Sequence, residues 1–447
     1  MRRWIVAVAA VALFALAGLG TVTSAPSPSA WPAQDSVRAH DRGVELAQAL
    51  LRAPPGPFRA GAAQVQLELP AGTLLGGYAS LWPRRSANGG QIAVTALSLS
   101  TPLARIGITG LDAVTIAPAL YARIHQQLDG WTALITSASH SHSGPGGCSH
   151  GLLEMLFMGP RDEALLDTLA RAHLDALAQA RAAEAPAQLL DGQRNVRELV
   201  VNRTWAEQPI DGTLDVLALV GRERLIGRLV TFNAHATLIG ARDRLDPDYP
   251  GALRQSLAEL DGSPVLFAAG ATGSASAPRL DPAHPAEVMG RTLASVVDNL
   301  PLRAGDAELA LAWQRLWWTM PAPLVPLPRH LALRPWLSRL LVPQRLPVDV
   351  VRVGRVILMA LPGELSAELS LASRQACEAL GWHLVFTSHN GMYAGYFMPA
   401  RGYQGPGPEA ALELHGPGAG DILASLADGL CEGLGATQGS LVREAGP

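Results

Sequence analysis

From Gln64 to Ala436 short apolar runs alternate with helical ones, and this alternation limits the possible folds more than any other feature. The runs expected as strands are Gln64–Leu69, Ile92–Leu99, Arg105–Thr109, Thr132–Ala138, Leu214–Val220, Leu225–Phe232, Pro264–Ala269, Val348–Val353, Val356–Leu361 and His383–Ser388. Helices are expected at Ala117–Leu128, Asp162–Ala183, Ala286–Asn299, Ser366–Leu380 and Asp421–Leu434. The pattern predicts an α/β protein: mixed β-sheets covered by helices in one large catalytic domain over residues 61–437. The order is too irregular for a Rossmann or barrel topology, and no internal repeat is visible. One stretch stands apart: Trp313–Arg345 carries Trp313, Trp317, Trp318 and Trp336, five arginines and several helix-breaking prolines. It reads as a surface insertion or as an interfacial segment, since indole and arginine side chains favour a lipid headgroup layer. It is too broken to span a bilayer.

A net charge of −3 and the lack of any basic tract exclude nucleic acid as the expected partner. No obligatory protein partner is inferred either. Every basic residue is arginine, which with the heavy Ala, Gly and Leu usage reads as coding bias rather than chemistry. Arg2 and Arg3 precede an apolar run, so residues 1–25 are read as an export signal or a membrane anchor. Ala25 and Ala30 are both candidate cleavage points. Residues 26–60 are read as a linker and lead-in. The body is thus expected outside the cytoplasm: periplasmic, secreted, or anchored to the outer membrane face. Cys148, Cys377 and Cys431 form no disulfide framework, but Cys377 and Cys431 could pair in an oxidising compartment.

The chemistry gathers in a few stretches. ITSASHSHSGPGG ends an expected strand with His140 and His142, and residues i and i+2 of a strand share a face. His235 follows another apolar run in RLVTFNAHATLIG, and Glu364 follows Leu-Pro-Gly in VILMALPGELS. The carboxyl ends of strands are where α/β sheets build sites. Two imidazoles and a carboxylate make a common hydrolytic zinc set with an open position. PVLFAAGATGSASAP offers Ser274 and Ser276 in a loop that is no Gly-x-Ser-x-Gly elbow. Tyr393, Tyr396 and Tyr403 crowd into SHNGMYAGYFMPARGYQG.

ASHSHSGPGG resembles the Thr-His-Thr-His-Ser-Gly-Pro-Gly-Gly motif of the neutral/alkaline ceramidases. GTLLGGYAS, VNRTW, NAHATL, LPGEL and NGMYAGYFMPARGY are similar to further segments of that family, in the same order, over roughly Gln64 to Leu434. The resemblance implies one zinc ion per chain, held by His140, His235, Glu364 and Tyr396, with Tyr393 as the runner-up tyrosine. It implies that His142 and Arg203 face the substrate carbonyl, and that Ser276 takes the position of the catalytic serine. Arg203 and Tyr403 are the candidate substrate-binding residues. The chain departs from the family where its Gly-Asp-Val-Ser-Pro-Asn becomes Gly273-Ser274-Ala275-Ser276-Ala277-Pro278. It departs again where Tyr-Glu-Gly or Tyr-Glu-Ala becomes Pro408-Glu409-Ala410. The small C-terminal β-sandwich of many members has no room here.

The activity so implied is zinc-dependent hydrolysis of the N-acyl amide of a ceramide-like lipid at a membrane surface, releasing a fatty acid and a sphingoid base. Either the Ser276 hydroxyl or an activated water attacks. Hydrolysis of another acyl amide or ester on the same fold, and a lipid-binding protein without turnover, stand as alternatives.

Overall fold

The computed structural model describes residues 20–27, 33–205, 207–240, 243–321, 323–327, 331–403, 405 and 407–444. Three five-stranded sheets form the frame. The first runs Ala133–Ala138, Arg105–Leu111, Gly90–Ser100, Arg59–Leu69, Ala185–Pro186 in spatial order. The second runs Val265–Ala269, Leu225–Phe232, Thr213–Val220, Gln188–Asn195, Arg303–Ala304. The third runs His383–Thr387, Val356–Ala360, Arg345–Val353, Glu308–Thr319, Pro55–Pro57.

All three share one device. Their strands pair antiparallel except for one pair at the edge, which is parallel: Arg105–Leu111 with Ala133–Ala138, Leu225–Phe232 with Val265–Ala269, and Val356–Ala360 with His383–Thr387. A parallel pair cannot be closed by a tight hairpin and needs a crossover. The helices Pro118–His125, Asp248–Asp261 and Ala367–Ala379 supply it in turn. The same unit therefore occurs three times, although the sequence shows no repeat.

Packing explains the continuous apolar runs. Leu97, Ile106, Leu217, Leu229, Val351 and Leu358, drawn from all three sheets, share one central cluster. The outer face of each sheet is covered by helices. Glu163–Ala182 packs on the first sheet, and Ala33–Leu51 packs with Ala419–Glu444 on the third. Strands buried on both faces lose the polar alternation of a half-exposed sheet. Cys377 and Cys431 form a disulfide that ties Ala367–Ala379 to Ala419–Glu444, and Cys148 is free and buried. No helix among the described residues is long and apolar enough to cross a membrane.

Two expectations need correction. Residues 26–60 are not all linker, because Ala33–Leu51 is a helix. Its buried stripe is Ala39, Gly43, Leu46, Ala47 and Leu50, so the small residues hide a helical period behind a weak hydropathy signal. A Cβ at Gly43 would lie 2.2 Å from the Leu426 carbonyl oxygen, which is why the two helices approach so closely. Residues 313–345 are not one insertion either, because Glu308–Thr319 is a strand paired with Arg345–Val353. Within it Trp313 and Arg315 turn to one side and both bond the buried Asp349, while Leu316 and Trp318 pack on the core beneath the third sheet. The period of two was masked by three tryptophans in six residues.

A buried polar knot joins the second and third sheets. His383 bonds Asp191 at 2.8 Å and Asp215 at 2.9 Å, Arg374 bonds Asp215 at 2.9 Å, and Arg355 bonds Asp191 at 2.6 Å. Burial disfavours the His383 charge, but the two carboxylates outweigh it and lift its pKa to about 9. The unfolded value is near 6.5, so the folded state holds the extra proton between these limits. This contribution, up to about 3 kcal/mol, is complete below pH ~6.5 and lost as pH rises through ~9. We expect urea midpoints to fall across that window, with a smaller fall in His383→Gln. Opening the Cys377–Cys431 bond, which closes a loop of 54 residues, should cost about 4 kcal/mol. Cys431→Ser should therefore unfold at a clearly lower denaturant concentration than the oxidised chain.

Candidate active site

The side chains singled out from the sequence lie just beyond the carboxyl ends of the parallel strands. His140 follows Ala133–Ala138, His235 follows Leu225–Phe232, Ser276 follows Val265–Ala269, and Glu364 follows Val356–Ala360. Short parallel bridges then sew the loops together: Ser141 with Ala236, His235 with Ser276, and Glu364 with Tyr396. The last bridge sets Glu364 and Tyr396 opposite one another in register. Gly273 is required by close approach, since a Cβ there would stand 2.8 Å from the Glu364 carbonyl oxygen. Gly77 has φ +113°, and a Cβ on it would meet the His142 backbone at 2.7 Å.

The imidazoles are fixed from behind. His140 Nδ1 lies 2.7 Å from the Val114 carbonyl and His235 Nδ1 lies 2.8 Å from that of Ala275. A carbonyl only accepts, so both Nδ1 atoms donate, and each neutral ring presents a lone pair at Nε2. Those Nε2 atoms stand 3.4 Å and 2.9 Å from Glu364 Oε2. The Tyr396 hydroxyl is 3.1 Å from His235 Nε2, and His142 Nε2 is 3.3 Å from His140 Nε2. Burial, then the Arg203 charge, lowers the His235 pKa to about 4. Two lone pairs and a carboxylate thus converge in a buried site, an arrangement that fits a bound cation.

Tyr393 donates to Glu364 Oε1 at 3.0 Å and so covers the oxygen turned away from His235. Burial and the Glu364 carboxylate push the Tyr396 hydroxyl well above its ordinary pKa. Arg203 Nη2 reaches His235 Nε2 at 2.8 Å and donates to Tyr396 at 3.0 Å, while its Nη1 lies 3.5 Å from Ser276 Oγ. Its Nε pairs with the buried Glu409 at 2.5 Å. Burial disfavours the guanidinium charge, but Tyr396, Glu409 and Glu364 more than restore it. Glu409 entered the sequence reading only as part of a departure, yet it is the anchor of Arg203.

His140, His142, Glu364, Tyr393 and Tyr396 line the floor of a cavity. Its walls are apolar, with Leu153, Phe157, Met158, Leu341 and Leu414 among them. Arg203 and Ser276, both partly exposed, and the buried His235 join this cluster through the bonds to Tyr396 and to one another. Tyr403 is buried but does not line the cavity, so the structure does not bring it to the cluster. Ser274 is also drawn away: its Oγ accepts from Ala367 N at 3.1 Å, at the start of a helix.

One residue went unread in the sequence. His389 follows His383–Thr387, the sixth of the edge strands, and stacks on His140 with centroids 4.4 Å apart. It is fully buried, and neither ring nitrogen has a hydrogen-bond partner. His140 and His389 also take φ of 61° and 67°, a region that non-glycine residues enter only under tertiary constraint. The usable signal was position: a histidine just past an apolar strand, as with His140 and His235. Two groupings within the cluster are close enough to hold a metal ion, His140–His142–His235 and His140–Glu364–His389.

No protein-family model and no curated protein sequence matches this chain. Among solved structures it is similar to neutral ceramidase from Pseudomonas aeruginosa, with a TM-score of 0.71 and 18% identity. That match covers 86% of this chain and 75% of that one. A ceramidase solved in complex with C2 is similar at TM-score 0.71 and 19% identity, covering 86% of this chain and 76% of that one. The chain therefore has the ceramidase fold, as the sequence resemblance implied.

His389 stacks on His140 and hydrogen-bonds nothing, whereas His235 Nε2 lies 2.9 Å from Glu364 Oε2. We therefore expect His389→Ala to retain one metal ion per chain by elemental analysis, and His235→Ala to retain none. Loss in His389→Ala with retention in His235→Ala would move the ion to the His140–Glu364–His389 grouping.

Proposed function

We propose that the protein is a zinc-dependent amidohydrolase that cleaves the N-acyl amide of a ceramide-like lipid, releasing a fatty acid and a sphingoid base. The observation that carries this reading is the pair of backbone-tied imidazoles. Each aims an Nε2 lone pair at Glu364, with Tyr396 alongside, at the end of an apolar cavity. His140, His235, Glu364 and Tyr396 would hold the ion. A zinc ion supplies Lewis acidity at the scissile carbonyl and a nucleophile active at neutral pH.

The chain's own groups do the remaining work. The apolar walls take the acyl and alkyl chains and exclude water, which strengthens every charge interaction on the floor. Arg203 and His142 stabilise the oxyanion that develops at the carbonyl. Arg203 can do so because Glu409 holds its Nε side and leaves both Nη atoms facing Tyr396, His235 and Ser276. Burial and the neighbouring imidazoles hold the His142 pKa well below normal, so the ring is neutral and acts as a dipole donor rather than as a cation. Ser276 lies beside the guanidinium, where its hydroxyl is one of two candidate nucleophiles, water being the other. Ser274, the residue that departs from the family serine loop, has its hydroxyl engaged at Ala367 and gives no reason to prefer another substrate.

The test is purified protein with a fluorescent N-acyl sphingosine and a matched acyl ester, with and without chelator. We expect amide hydrolysis that chelator abolishes and zinc restores. Turnover of the ester alone, or amide turnover indifferent to chelator, would overturn the proposal. Arg203→Ala should lower kcat by about 10²–10³ while leaving the metal content unchanged, the loss typical of one oxyanion donor. Glu409→Gln should give a smaller fall in kcat of the same kind. Ser276→Ala separates the nucleophiles: complete loss if serine attacks, partial loss if water does.

A further inference from the structure

We propose that the face around the cavity mouth docks on an anionic lipid bilayer. Half of the large apolar side chains that are exposed among the described residues lie on three short segments: residues 81–82, the helix Leu152–Met158 and the helix Pro335–Leu341. Leu81 and Trp82 are each 81% exposed, Leu152 is 73%, Trp336 53% and Leu340 75%. Single exposed apolar residues are ordinary, but a cluster on this scale marks a surface built to be covered. The three segments are neighbours. Ser80 N donates to the Leu156 carbonyl at 2.8 Å, and Leu153, Phe157 and Leu341 line the same cavity. Each helix therefore turns one side into the cavity and the other to solvent, so an alkyl chain can pass from a bilayer to the floor without crossing water.

The charge of this face points to lipid as the occupant. Arg85, Arg334 and Arg339 lie on or beside these segments, are exposed, and meet no carboxylate among the described residues. Unneutralised arginines among indole and leucine suit an anionic interface. The chain also enters the fold at this face. Val22–Ser24 pairs antiparallel with Leu331–Leu333, and Arg334 N donates to the Thr21 carbonyl at 2.8 Å. The first described residues thereby lie beside the helix that carries Trp336.

The purpose of such docking rests on the lipid-substrate reading above, but its test does not. Full-length protein is mixed with phosphatidylcholine vesicles containing phosphatidylglycerol and brominated acyl chains, and tryptophan quenching is read without any substrate. We expect quenching that largely disappears in Trp82→Phe/Trp336→Phe, because those two rings enter the acyl region. Arg334→Gln/Arg339→Gln should weaken partitioning roughly fivefold per arginine, and only on anionic vesicles. Quenching that is absent, or unchanged in the tryptophan variant, overturns the proposal. So does a dimer in vesicle-free solution that Leu81→Ser/Leu340→Ser converts to monomer, since the face would then be covered by a second copy. The substituted residues lie outside the cavity lining, so hydrolysis of a short monomeric amide should be unchanged in all variants. A protein that docks but does not hydrolyse would refute the enzymatic reading alone.

Discussion

The site depends on one geometric constraint: three parallel strand pairs end at the same place. A parallel pair runs both of its carboxyl ends to one side, and three such pairs around a common core aim six strand ends at one volume. His140, His235, Ser276, Glu364 and His389 all leave from those ends. The Val114 carbonyl that orients His140 comes from the loop after the remaining strand. The bridges between loops add what the sheets cannot, because a slip of one residue would turn a ligand to the opposite face. Glu364 opposite Tyr396 is the clearest case, held in register by only two residue pairs.

The electrostatics follow from that convergence. Burying acceptors together is costly unless something positive lies among them. The fold supplies part of the answer with Arg203, which is itself neutralised from the far side by Glu409. Both Nδ1 atoms are engaged with carbonyls, so a neutral ring turns no donor toward Glu364, an arrangement compatible with a cation. The backbone thus decides the protonation pattern of the floor before any ligand arrives. The strain at His140 and His389 belongs to the same arrangement, held by fully buried surroundings.

Above the floor the chemistry changes character. Most of the polar lining belongs to the cluster, and the apolar walls are carried in part by two short helices whose other sides form the exposed face. Cavity wall and exposed face are therefore built from the same few elements. Tyr403 and Ser274 show how near in sequence a residue can lie and still fall outside the site: one is buried elsewhere, the other is engaged at a helix start.

The sequence by itself determined the fold class, ten of the strands, and the identity of His140, His142, His235 and Glu364 as chemically loaded strand ends. These were legible because apolar runs are local and because a polar residue just beyond one is conspicuous. Gln188–Asn195 was missed because Asp191, Gly192 and Gln193 disguise a buried strand whose charge is neutralised by distant Arg355 and His383. Asp248–Asp261 was missed because Pro250 and Gly251 fall in its first turns. Only the tertiary structure decided that Ala33–Leu51 is a packed helix, that Trp313 and Arg315 belong to a sheet, and that His389 and Glu409 belong to the site. The same holds for which atom of each imidazole faces Glu364. The physical reason is common to all of these: each is fixed by contacts between residues far apart in the chain, whose energies depend on distance and direction rather than on neighbouring residue types.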